Sequence, residues 1–221
     1  AREVLETRAR ERGIQVVRGG YGWRAEQVGH DQGCYRFVGV GPGARRVEAR
    51  LALAGEHQVT NALTAMATLD LLGVEAGAIE SGLAAARWPG RLETVAEAPQ
   101  VLLDGAHNPA GARALARFLE QHHAGRRVWL IYGAMRDKAI DEVAGLLFPL
   151  AHRVLVTQVA QSRAVSAAVL AAIVAHHRSD IGVAGSLAEA LARARSEASP
   201  ADIIVITGSL FLVAEAKTPA T

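Results

Sequence analysis

Residues 101–121 read VLLDGAHNPAGARALARFLEQ, and their reading decides the fold. Three apolar residues run into an acid, Asp104. Glycine, alanine, His107 and Asn108 follow, then a proline and a stretch of helical periodicity. An apolar run that turns sharply into a helix is one strand–helix step of an α/β sheet. In open sheets of this kind ligands bind at the carboxyl ends of the strands. An acid, an imidazole and an amide at that turn are therefore candidates for chemistry as well as for turn geometry.

Toward the C-terminus the step repeats. Apolar runs stand at VWLIYG (128–133), RVLVTQ (153–158), DIGVAG (180–185) and DIIVITG (202–208). The segments between them predict helices over about 109–122, 138–148, 166–178 and 186–197, with a last one from Ser209. Apolar strands alternating with helices predict a mainly parallel, Rossmann-like sheet covered on both faces. The Pro-Gly pair in RWPGRLE (87–93) sets the expected boundary, giving a domain over 89–221.

Upstream the pattern differs. A helix is predicted over 2–12 and a short strand over IQVV (14–17). Residues 19–33 read as a loop with weak strand signals. CYRFVGV (34–40) and RRVEARLAL (45–53) read as paired strands bridged by the turn GPGA (41–44). Residues 57–73, HQVTNALTAMATLDLLG, form an amphipathic helix with Val59, Leu63, Met66, Ala67 and Leu69 at helical spacing and Gly73 as its stop. A second helix is predicted over 74–87. Residues 1–88 hold too few strands for a complete α/β domain and are expected to be the last part of a larger one. The chain opens on Ala rather than Met, in keeping with a fragment or a processed product.

Composition narrows the function classes. The chain has 221 residues, 50% hydrophobic and 21% charged, ordinary for globular domains. Its net charge of +2 is carried mostly by arginines dispersed among acids, and aromatic residues make up 5%. A basic stripe with interleaved aromatics, the mark of nucleic-acid binding, is not expected. Cys34 is the single cysteine, so no disulfide forms within the chain, which suits a reducing, cytoplasmic setting. No apolar run reaches membrane-spanning length.

The motif DGAHNPAG (104–111) resembles one found in the Mur ligase superfamily, in particular in folylpolyglutamate synthase/dihydrofolate synthase. Four further pieces resemble that family in the same order: GEHQVTNALTA (55–65), GRLE (90–93), GAMRDKAIDEVAGLLFP (133–149) and ITGSLFLVAE (206–215). The resemblance implies the C-terminal portion of an ATP- and Mg2+-dependent amide ligase of folate biosynthesis and one-carbon metabolism. Such an enzyme phosphorylates a carboxylate of dihydropteroate or a folate, and the amine of L-glutamate then displaces the phosphate. It also implies that residues 1–88 belong to the ATP-binding central domain and 89–221 to the C-terminal domain, in an enzyme that is a monomer at full length. A cell-wall Mur ligase, or a non-catalytic nucleotide- or amino-acid-binding module, stands as the alternative.

The resemblance gives residues roles, each beside a plainer one. Asn61 lies one helical turn after His57 and is implied to contact adenine; as a helix residue it can equally face solvent or cap a neighbour. His57 reads as a helix-start residue. Arg91 is implied to reach phosphate as the domains close, against a surface ion pair with Glu93. Asp104 is implied to contact ATP, through ribose hydroxyls or by orienting Arg91. His107 is implied to position glutamate or the reacting carboxyl group, or it holds the turn. Asn108, before Pro109, reads as a helix cap. Ser209 is either a plain cap or a ligand for the glutamate α-carboxylate at a helix N-terminus. Asp137 reads as a helix cap and Lys138 as a weaker substrate candidate.

No metal site is expected within these residues. The P-loop pattern G-x-x-x-x-G-K-[ST] is absent, because Lys138 follows Asp137 and Lys217 follows Ala216. The metal ligands are expected outside the chain. The pairs His122–His123 and His176–His177 are expected to diverge along helices into solvent.

Overall fold

The computed structural model describes residues 2–14, 16, 22–31 and 33–217. Two residues of the strand expected at 14–17 fall outside these, as do 18–21 and 32. The chain divides into two compact units, residues 1–52 with 57–86, and residues 53–56 with 87–221.

The first unit holds helix α1 (Arg2–Glu11), strands β1 (Arg24–Asp31) and β2 (Cys34–Val40), all but the last two residues of β3 (Arg46–Ala54), and helices α2 (His57–Leu71) and α3 (Ala76–Ala85). The strands form one sheet in the order β1-β2-β3. Strand β3 shows why it pairs face-down: Val47, Ala49 and Leu51 are buried while Arg46, Glu48 and Arg50 between them are exposed. Phe37, Met66 and Ile79 join these apolar residues in one core. Strand β1 corrects the loop expected there. Its sequence RAEQVGHD is polar because, among the described residues, it is an edge strand paired with β2 alone, and a register shift falls between Glu26 and Gly29. Main-chain pairing rather than side-chain burial makes it a strand.

The second unit is a six-stranded sheet in the order β4-β5-β9-β6-β7-β8. Its strands are β4 (Glu93–Glu97), β5 (Gln100–Leu103), β6 (Val128–Tyr132), β7 (Arg153–Thr157), β8 (Gly182–Ala184) and β9 (Ile203–Thr207). Helices α4 (Pro109–His122), α5 (Ile140–Leu147), α6 (Ala167–Val174), α7 (Leu187–Glu197) and α8 (Leu210–Lys217) cover it. Alternation along each strand divides the core in two. Leu102, Leu130, Val154 and Val205 pack with α4, α5 and α6 through Leu115, Val143 and Leu170. Val101, Ile131, Leu155 and Ile204 pack with α7 and α8 through Leu187, Ala190 and Leu212. This is the mainly parallel, doubly covered sheet expected from the apolar runs.

Local structure departs from expectation at several points. Strand β4 was not expected; ETVAE is polar, and it is held as an antiparallel edge beside β5. Helix α5 starts later than expected, with Ala139 as an N-cap that makes no side-chain bond, while Asp137 pairs with Lys138 at 3.2 Å instead of capping. His122 and His123 are half-buried rather than solvated, with their rings 5.0 and 5.3 Å from that of Phe118.

One charge cluster ties the sheet at the amino end of β9. Buried Asp202 accepts from Arg127 Nε (3.1 Å) and Nη2 (2.8 Å), from Trp129 Nε1 (3.2 Å), and from the backbone N–H and the hydroxyl of Ser199 (both 2.9 Å). Burial opposes ionisation, but these donors outweigh it and hold the carboxyl well below the usual carboxylate range. The stabilisation is therefore complete above about pH 4 and is lost as pH falls further. Asp202→Ala strands the buried donors and is expected to cost about 3 kcal/mol in urea unfolding at pH 7. The difference from the parent chain should shrink at pH 2; a constant difference would contradict this role.

Candidate functional site

Strands β5, β9 and β6 are neighbours, so their carboxyl ends stand side by side. Asp104 continues β5 by one residue, and its N–H donates to Ile206 of β9 at 3.0 Å. Its side chain is 6% exposed and turns inward. Oδ1 accepts from the N–H of Ala106 at 2.9 Å, closing the turn into α4. Oδ2 accepts from the N–H of Leu92 at 3.1 Å. The next residue, Gly105, donates to the carbonyl of Gly90 at 2.8 Å. The turn after β5 is thereby fastened to both sides of Arg91.

The fastened segment needs unusual backbone. Gly90 has φ +71°, and a Cβ there would lie 2.3 Å from Val213. Leu92 adopts φ +48°, a left-handed conformation that its bond to Asp104 and its burial sustain. Glu93 completes the clamp: one oxygen accepts from Gly90 N–H at 2.7 Å and the other meets Lys217 at 2.6 Å. The ion pair between Arg91 and Glu93 weighed from the sequence does not form, because Glu93 is engaged elsewhere. Arg91 is half-buried, and its guanidinium donates to no described residue.

Burial pushes the Asp104 carboxyl up to about 6, against the opposing pull of the Leu92 and Ala106 amides and of the Arg91 and His107 charges. A raised carboxyl favours the protonated fold, so this group's contribution to stability is fullest at low pH and declines as pH rises through about 4 to 6.

His107 is half-buried. Its Nδ1 lies 2.8 Å from the carbonyl of Gly105, which can only accept, so Nδ1 donates there and Nε2 is left for another partner. Asn108 caps α4 as expected, accepting from Gly111 N–H at 2.9 Å. Across the sheet, Ser209 is 2% exposed, and its hydroxyl oxygen accepts from Phe211 N–H at 3.2 Å as the first residue of the α8 turn. Between them the Thr207 hydroxyl donates to the carbonyl of Ala106 at 3.5 Å. Gly208 has φ +100°, and a Cβ there would meet the Gly133 carbonyl at 2.5 Å and the Tyr132 ring at 2.6 Å. The TGS turn thus depends on its glycine as much as on its serine.

The structure brings Arg91, Asp104 and His107 together and sets Ser209 on the neighbouring strand end. Asn61 lies in the first unit. It is exposed on α2 and donates to Gln58 Oε1 at 2.9 Å; Gln58 Nε2 lies 3.1 Å from His57 Nε2. Leu92, Gly90 and Thr207 contribute through backbone or hydroxyl contacts that residue type alone did not signal. His176 and His177 do not diverge. α6 ends at Val174, and both Nε2 atoms meet Asp141 Oδ1, at 3.0 and 2.9 Å, so a candidate ligand cluster exists where none was expected.

Residues 90–210 match the family model of the Mur ligase glutamate ligase domain. A probable bifunctional folylpolyglutamate synthase/dihydropteroate synthase of Haloferax volcanii is 35% identical over 205 residues, covering 91% of this chain and 24% of its own length. Folylpolyglutamate synthase of Mycobacterium tuberculosis complexed with ADP superposes with a TM-score of 0.88 at 30% identity, over 97% of this chain and 51% of that one. The bifunctional folylpolyglutamate synthase/dihydrofolate synthase of Yersinia pestis, complexed with AMPPNP and a Mn ion, gives 0.77 at 27% identity, over 97% and 49%. The chain thus spans about half the length of these solved structures.

If burial of Asp104 sets its titration, Asp104→Asn should flatten the pH dependence of stability between pH 4 and 7. The parent chain is expected to lose up to about 3 kcal/mol from this group over that interval. Urea midpoints of both chains at unit pH steps check this, and parallel curves would refute it.

Proposed function

Because the chain belongs to the family of Mur ligase glutamate ligase domains, we propose that it is the C-terminal portion of a folylpolyglutamate/dihydrofolate synthase, an ATP-dependent ligase that joins L-glutamate to dihydropteroate or a folate. Residues 1–88 then close its ATP-binding domain and 89–221 form the glutamate ligase domain. The observation that carries this reading is Arg91, held between two anchored residues near the carboxyl end of β5, with its charge acting on Asp104 and its guanidinium donating no hydrogen bond to a described residue. The relatives from Haloferax volcanii, Mycobacterium tuberculosis and Yersinia pestis, all on the folate side, support it over a cell-wall ligase.

The reaction runs through an acyl phosphate. A substrate carboxylate oxygen takes the γ-phosphoryl group, and ADP departs. The glutamate ammonium loses one proton to become the amine that attacks the acyl carbon; the C–O bond to phosphate then breaks, phosphate leaves, and the nitrogen gives up a second proton, keeping one as the amide N–H. Arg91 answers the charge on the phosphoryl oxygens, for which a planar guanidinium is well shaped. Asp104 works as a positioning residue. Both its oxygens are occupied by backbone amides, so orienting Arg91 suits it better than binding ribose. Asn61 offers a carboxamide to the adenine edge. His107 presents Nε2 to glutamate or to its ammonium proton, and Ser209 stands at the α8 N-terminus, where amides favour a carboxylate.

Mg2+ offsets phosphate charge when bound. The ligand cluster among the described residues contains two imidazoles and suits that ion poorly. We propose that the residues holding Mg2+, like the P-loop, lie outside these residues. The protein is further proposed to be a cytoplasmic monomer.

Two outcomes test the reading. The 221-residue chain alone should release no phosphate in the presence of ATP, glutamate and dihydropteroate; turnover by it would overturn the dependence on a separate P-loop. In the whole enzyme, Arg91→Ala is expected to lower kcat by on the order of 10²–10³-fold, with KM for the folate substrate within about twofold. Unchanged kcat with a raised folate KM would contradict a role at the phosphoryl group.

A further inference from the structure

Asp141, Gly145 and Phe148 share one face of α5 and its continuation, at the spacing that stacks side chains along a helix. The turn after α6 lies against that face. The ring of His177 stands edge-on to Phe148, with centroids 6.4 Å apart, and occupies the space a Cβ on Gly145 would need, since that atom would lie 3.0 Å from Cε1. His176 lies beside it, ring centroids 4.0 Å apart. Both Nε2 atoms converge on Asp141 Oδ1.

The turn that presents the two rings is fixed from both sides. His177 N–H donates to the carbonyl of Val174 at 3.0 Å. Arg178 donates to the carbonyls of Phe148 at 3.3 Å and His152 at 3.1 Å, and pairs with Asp180 at 2.7 Å. The His177 side chain is 21% exposed, while those of His176 and Asp141 are 60% and 62% exposed. One ligand is thus packed in place and two are open to an arriving ion.

We propose that Asp141, His176 and His177 form a binding site for a zinc-class divalent transition cation, separate from the glutamate ligase chemistry. One donor atom from each residue lies within 4.8 Å of the others. Tetrahedral zinc with bonds of about 2.0–2.1 Å spaces its donors about 3.3 Å apart. The two nitrogen–oxygen separations therefore need to open by only a few tenths of an ångström. Two imidazoles with one carboxylate suit zinc, nickel or copper and not magnesium. Three protein ligands leave the fourth position to water, and the bound ion clips α5 to the end of α6.

Isothermal titration of the tag-free 221-residue chain with zinc chloride, in a non-coordinating buffer, tests this. One equivalent is expected to bind. Asp141→Asn and His176→Gln should each weaken binding by about tenfold or more, and both residues are exposed enough to spare the fold. His30→Gln, on an exposed edge strand, should leave it unchanged. Cobalt(II) should give visible absorption bands of a low-coordinate site, lost in His176→Gln. Absence of zinc binding, or the same affinity in His176→Gln, would overturn the site. Displacement of zinc by equimolar magnesium would overturn the assignment of cation class. None of these readouts depends on ligase activity, so the site and the proposed function stand or fall separately.

Discussion

The buried carboxylate of Asp104 is the constraint on which the site depends. One oxygen closes the turn from β5 into α4, and the other reaches back to the N–H of Leu92. A single side chain thereby links an edge segment, a central strand and a helix start. Burying a carboxylate is costly unless donors meet it, and here two backbone amides and nearby positive charge do so only in part. The fold thus leaves this carboxyl harder to ionise than an exposed one. Asp202, at the opposite end of the sheet, shows the contrast: its five donors make ionisation easy, and its role is to hold strands together.

Asp104 in turn fixes the backbone on which Arg91 stands. The two neighbours of the arginine are pinned, one by a carboxylate and one by the carbonyl of Gly90 accepting from Gly105. Glu93, the acid nearest in sequence, is drawn away by Gly90 and Lys217. The backbone on either side of the arginine is thus fixed, while its guanidinium donates no hydrogen bond to a described residue and its charge acts on Asp104. Gly208 plays the matching part across the sheet, where only a residue without Cβ lets the last strand turn past Tyr132 and Gly133.

Much of this was legible in the residues. The central strands of the larger sheet declared themselves as apolar runs, because a strand covered on both faces has no polar side to show. Asn108 declared itself a cap by standing before Pro109. The edge strands β1 and β4 were hidden for the converse reason: strands with one partner and an exposed face carry polar residues, and their pairing is written in the backbone. The clamp on Arg91 was legible only as the motif GRLE, since the bonds that make it come from amides of Gly90 and Leu92. The convergence of His176 and His177 was hidden by the early end of α6. Adjacent residues diverge on a helix, but these two lie beyond its last turn.

The central claim is that the Asp104 carboxylate holds the Leu92 and Ala106 amides and thereby fixes Arg91. Amide hydrogen exchange measured residue by residue in the parent chain and in Asp104→Ala tests it most directly. Protection at Leu92 and Ala106 is expected to fall by at least about tenfold, the equivalent of one modest hydrogen bond, while amides of β6 and β7 keep theirs. Unchanged protection at Leu92 in a folded Asp104→Ala chain would contradict the account.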